Sequence, residues 1–320
     1  MAAHADWSID PRKRWVTVAH RHAGRWRAEA PAQVGDPAAL LARLLAAGAP
    51  VALGLDLPLG VPREFAAGRA EPGFPAFLRS LAGAGAFFIP SPGLETVSPA
   101  RPFYPARGIK GMTRAAHAQA LGLSGPAGLS RHCDRATATR PAGAPVFWTL
   151  GANQSGKAAI SAWRDWLAPA LAAGAPLRLW PFDGPLATLL APGVAVLAEV
   201  YPAEALRHCG VKLGGSKRAQ GPRLAAAPAL HVAMGLRGVV PAPPLAKMLA
   251  TGFGSDAQGE DRFDSLVGLL GLVGVLEGLR EDFIPEDPWI RRWEGWVLGQ
   301  TDLPVGTSAE SRPNPQQPTR

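Results

Sequence analysis

Two short apolar runs, each closed by a carboxylate and then a proline, constrain the fold of this chain more than any other feature. The first is Val51-Ala52-Leu53-Gly54-Leu55-Asp56-Leu57-Pro58, and the second is Val194-Ala195-Val196-Leu197-Ala198-Glu199-Val200-Tyr201-Pro202. Runs of this length, rich in Val and Leu and bounded by turn residues, read as strands buried on both faces of a helix-covered sheet. A carboxylate at the end of such a strand is costly unless something pairs with it. In open α/β sheets, ligands bind at the carboxyl ends of the strands. Asp56 and Glu199 are therefore expected at a functional site, with a divalent metal as the economical shared partner. The competing expectation for Asp56 is local: its oxygens accept N–H bonds from the turn at Pro58–Gly60.

Around these runs, the chain starts with three strand candidates, Ala5–Asp10, Trp15–Ala19 and Gly24–Ala28, at hairpin separations. Asp36-Pro37 then supplies an N-cap and a proline at the first helical position, and Leu40, Leu41, Leu44 and Leu45 repeat at helical spacing up to Gly48. The first sixty residues thus read β-β-β-α-β. Further on, Leu177–Phe182 is another strand candidate. Gly259-Glu260-Asp261-Arg262-Phe263-Asp264-Ser265 opens an apolar helix whose glycines, 268, 271, 274 and 278, predict close packing against the sheet. Asp261 and Asp264 share one face of its first turn, where negative charge also serves as ordinary capping.

The middle of the chain is less regular. Phe87–Pro92 reads as a strand broken by prolines. Arg101–Gly111 is an irregular loop whose Phe103, Tyr104, Arg107 and Lys110 suit stacked bases and phosphates, or equally a loop pinned to the surface. Val146–Leu150 is a strand candidate followed by Gly151-Ala152-Asn153-Gln154-Ser155-Gly156-Lys157-Ala158 and an amphipathic helix. Strand, glycine loop with Lys and helix is the context of a phosphate-binding loop. Ala158 stands where a magnesium-ligating Ser or Thr would follow the lysine, so the preferred expectation is a tight turn that brings Lys157 near an anionic substrate. Lys217, Arg218 and Arg223 could also meet phosphate oxygens.

The carboxylate segments resemble those of a bacterial family of predicted ribonuclease H-like nucleases. The resemblance is carried by Ser8-Ile9-Asp10 with Trp15 following, by Gly54–Gly60, by Glu199-Val200-Tyr201-Pro202 as a Glu-x-x-Pro signature, and by Asp264-Ser265-Leu266, where the family has Asp-Ala-Leu. It implies a ribonuclease H-like α/β fold: a mixed sheet with a β-β-β-α-β-α-β core and helices on both faces. Residues 1–303 would form one domain carrying an insertion at about 63–190, followed by a disordered tail over 304–320. It further implies a metal-dependent nuclease in which Asp10, Asp56, Glu199 and Asp264, with Asp261 as a substitute, bind two Mg²⁺ or Mn²⁺ ions. Lys110, Lys157, Lys217 and Arg218 would then bind the substrate. Two other functions stay open: a phosphotransferase built on the Gly151–Lys157 loop, and a metal-free scaffold.

Composition narrows the partners. A net charge of +8 suits nucleic acid or another anionic partner. Hydrophobic content of 47% with 18% charged residues describes a globular protein. The two cysteines, each after an Arg-His pair, lack the spacing of a zinc site and point to a reduced, cytoplasmic protein. No signal peptide is evident, and the longest apolar run, Leu266–Leu276, is too short to span a bilayer.

Overall fold

A computed structural model describes residues 1–108, 110–151 and 155–305 of the chain. Its strands are β1 (Ala2–Asp6), β2 (Trp15–His22), β3 (Arg25–Ala28), β4 (Ala32–Gln33), β5 (Val51–Leu55), β6 (Leu177–Leu179), β7 (Ala195–Glu199) and β8 (Val239–Pro241). They form one mixed sheet in the order β6-β7-β5-β1-β2-β3-β8, with β4 attached to β2. The first three strands pair antiparallel, whereas β5 runs parallel to both β1 and β7. Asp36 caps the helix Pro37–Leu45 through the N–H groups of Ala38 and Ala39, and that helix carries the chain from β4 across to β5.

Alternation along the strands sends neighbouring residues into different cores. Ala3, Ala5, Leu53, Leu55 and Leu197 face one side, with Leu40, Leu41 and Leu44 of the helix and the aromatic residues of the 63–190 segment. Ala2, Ala52, Val196 and Ala198 face the other, beneath the long helix Gly259–Leu276. The glycines of that helix permit its close approach. A Cβ at Gly268 would overlap the ring of His4 on β1, and one at Gly271 would meet Ala205 at 2.6 Å. Among the described residues, no helix is long and apolar enough to cross a membrane.

Three strand expectations are corrected. The first strand is Ala2–Asp6, not Ala5–Asp10. Asp10 instead caps the one-turn helix Pro11–Lys13, and Ile9 is 47% exposed. Phe87 and Phe88 lie in another one-turn helix, Gly85–Phe88. Val146–Leu150 makes only an isolated bridge, Tyr104 to Trp148. In both places the aromatic side chains set the local structure: Phe103 meets Phe87 and Phe147 edge-on, with ring centroids 5.8 and 5.3 Å apart. Most of the expected tail, residues 306–320, lies outside the described residues.

Candidate active site

The parallel pairing of β1 with β5 brings two strand ends together. Ala5 lies opposite Leu55, so the next residue of each strand, Asp6 and Asp56, emerges at the same edge. The long helix packs across β1 and β5 and adds Asp264 from its second turn. Asp6 and Asp264 are buried at 8% and 6% exposure, and Asp56 is half-buried at the mouth of a cleft. Burial pushes the Asp6 carboxyl well above the usual range, and Asp264, Asp56 and Asp261 push it further. Burial and Asp264 raise Asp56 to about 7. Asp264 is also raised by burial, against the pull of Lys217.

Lys217 is the cation placed among these groups. Its Nζ donates to Asp264 and lies 3.6 Å from Glu260. Burial works against its charge, but Asp264 and Asp56 outweigh this and hold the ammonium above its ordinary range. Arg223, expected to meet phosphate, is buried and donates to the carbonyls of Lys217, Arg218, Gly252 and Gly254. It thereby fixes the loop that presents Lys217. Asp261 is half-buried, and burial raises it to about 6; its Oδ2 is buried with no hydrogen-bond partner.

The remaining expected residues lie elsewhere. Asp10 sits on an outer turn, where two hydrogen bonds from the Arg12 side chain and one from its backbone lower the carboxyl to about 2. Glu199 is fully buried, but Arg131 grips it with Nη1 at 2.6 Å and Nη2 at 2.7 Å, and Leu59 N–H donates to it at 2.8 Å. The same guanidinium binds Asp134 and the Tyr201 hydroxyl. Of the four expected substrate cations, Lys217 lines the cleft. Arg218 is exposed and 3.6 Å from Glu260, Lys110 is exposed beside the undescribed Ile109, and Lys157 is half-buried on the helix Ser155–Ala162. Residues 152–154 of the glycine loop lie outside the described residues.

The cleft itself has a volume of about 510 Å³. Asp56 and Lys217 line it, as do Arg140 and Arg207, which the sequence reading did not single out. Arg140 belongs to the 63–190 segment, so the insertion builds part of the cleft wall. For a divalent cation the donor chemistry fits: every candidate ligand is a carboxylate oxygen, the preference of hard ions. The orphaned Oδ2 of Asp261 is a further acceptor of the same kind. Among the described residues, no three such side chains converge at ligating distance on one point. Compared with known proteins, the chain matches no family model, no curated protein and no solved structure.

Proposed function

We propose that this chain is a metal-dependent hydrolase of phosphodiester bonds in nucleic acid, with a ribonuclease H-like fold, acting in the cytoplasm. The observation that carries this reading is the packing of β1, β5 and the long helix, which brings Asp6, Asp56 and Asp264 to the same sheet edge, with Asp56 lining the cleft there. The sheet supports the fold assignment: three antiparallel strands are followed by a helix crossing to a strand parallel to the first, with carboxylates at the ends of the first strand and the strand after the crossing. In this reading Asp6 takes the place expected for Asp10.

A bound Mg²⁺ or Mn²⁺ would supply a Lewis acid and an acidified water. Asp6, Asp56 and Asp264 would hold it, because burial pushes each toward protonation, neighbouring carboxylates add to this at Asp6 and Asp56, and a cation would offset it. Lys217 lines the cleft with its side chain 37% exposed, so it can reach a substrate phosphate while keeping Asp264 ionised. Glu199 serves as the anchor of Arg131 and not as a ligand, since its oxygens are already engaged.

The test is cleavage of single- and double-stranded DNA, RNA and hybrid in Mn²⁺ or Mg²⁺. Metal-stimulated cleavage is expected, together with a metal-dependent rise in Tm, and Asp56→Asn and Asp264→Asn should abolish both. Absence of cleavage across all substrates, with no shift in Tm on adding either ion, overturns the reading.

A further inference from the structure

The cleft beside the carboxylates has a second charged group. Arg140 and Arg207 both line it, and Glu204 lies between them. Each guanidinium is anchored on backbone: Arg207 Nη1 donates to Thr139 O at 2.7 Å, and Arg140 Nη2 donates to the carbonyls of Cys133 and Arg135. Arg140 Nε is buried and turned to Glu204 at 3.5 Å, so that edge of the guanidinium serves the ion pair. Other donors remain free. Arg140 Nη1 and Arg207 Nε take no partner among the described residues. Two arginines against one glutamate leave a net positive charge. Planar guanidinium groups held in place in this way match phosphate oxygens.

The rest of the lining is mostly apolar, with Trp7, Leu57, Pro141 and Pro202 among it. A slot with apolar walls, a cationic pair and a carboxylate group has the chemistry of a nucleotide: a base to cover, a phosphate to grip and a phosphodiester to present. Its volume of about 510 Å³ lies within the range of small-ligand pockets, ~300–1,000 Å³. This accepts one nucleotide, whereas the bases of a duplex are paired and stacked and enter such a pocket only by being flipped out, at a cost.

We infer that the cleft takes one unpaired nucleotide of a single-stranded nucleic acid, with Arg140 and Arg207 holding a phosphate adjacent to the one at the carboxylates. This rests on the nuclease reading for the identity of the polymer. It adds the strandedness of the substrate and the subsite that selects it.

Fluorescence anisotropy of an end-labelled short oligothymidylate, in Ca²⁺ buffer, tests the slot by binding alone. The single strand should bind, and a blunt duplex of the same length should compete at least tenfold less well. Arg207→Gln should weaken the single strand about tenfold, the loss of one charge-assisted hydrogen bond, and Arg207→Lys should recover part of it. Because Arg207 also supports Thr139, a second variant is placed on the exposed wall: Ala142→Trp should narrow the slot and reduce single-strand binding without lowering Tm. If the duplex competes equally and neither Arg207→Gln nor Ala142→Trp has an effect, the slot is wrong, even where metal-dependent cleavage stands. If the strand binds with this pattern but no metal supports cleavage, the slot holds and the nuclease reading fails.

Discussion

β5 and β7 have the same design and opposite outcomes. Both are fully buried parallel strands that deliver a carboxylate at the carboxyl end, and Leu55 pairs directly with Glu199. Glu199 then receives a guanidinium fork and a backbone N–H, so its charge is matched within the fold. Among the described residues Asp56, one residue past its strand, receives no such clasp and stands instead among Asp6, Asp264 and Lys217, with burial and Asp264 raising it to about 7. A carboxylate that folding has already satisfied is part of the scaffold. One that folding leaves under repulsion beside a cleft is available for a ligand.

The largest effect should come from breaking the satisfied side. Arg131→Met leaves Glu199 and Asp134 buried without their cation, and removing one partner of such a pair costs about 3–5 kcal/mol. Urea unfolding should show this loss, with or without Mg²⁺. A change below 1 kcal/mol would mean that Glu199 is free to act with Asp56, and the contrast between the strands would collapse.

The unsatisfied side should respond in the opposite direction. Because burial and Asp264 raise Asp56 above its unfolded value, the folded state binds more protons than the unfolded chain between about pH 4 and 7. Stability of the metal-free protein should therefore fall as pH rises through that window. Asp56→Asn removes the penalty, so in EDTA its Tm at pH 7.5 should exceed that of the unmodified protein by a few degrees, and its pH profile should be flatter. Added Mn²⁺ should raise the Tm of the unmodified protein and leave the variant unchanged. A steeper pH profile in Asp56→Asn would show that the carboxylate is stabilised as an anion.

The same distinction explains what could be read from the sequence. The β5 strand and the crossing helix were legible because apolar run length, capping residues and helical spacing are local signals, whereas Asp264 and Lys217 were named through the family resemblance and a basic cluster. Asp6 was not, because β1 is Ala-Ala-His-Ala-Asp, whose small residues give no strand signature until His4 and its neighbours are covered by the long helix at Gly268. Trp7 and Ile9 imitated an alternating strand and moved the expected carboxylate four residues too far. Arg131 lies 68 positions from Glu199, inside a segment with no periodicity, so the clasp is set by tertiary structure alone. Arg140 and Arg207 are likewise brought together only in the folded chain, through Glu204 and the Arg207–Thr139 hydrogen bond.

The smallest expected effect is that of Asp10→Asn, which separates Asp6 from Asp10. Asp10 is bound to Arg12 on an outer turn, and those hydrogen bonds lower it to about 2, the mark of a carboxylate already stabilised as an anion. Asp6 is held by its neighbours in the reverse condition, with burial first and then Asp264 and Asp56 favouring its proton. Asp10→Asn should therefore leave metal-stimulated cleavage and the Mn²⁺-induced rise in Tm unchanged, whereas Asp6→Asn should remove both. Loss of cleavage in Asp10→Asn with Asp6→Asn still active would return the first carboxylate to the turn. It would also mean that β1 ends in solution beyond Trp7, with the Pro11–Lys13 turn folded back over the cleft.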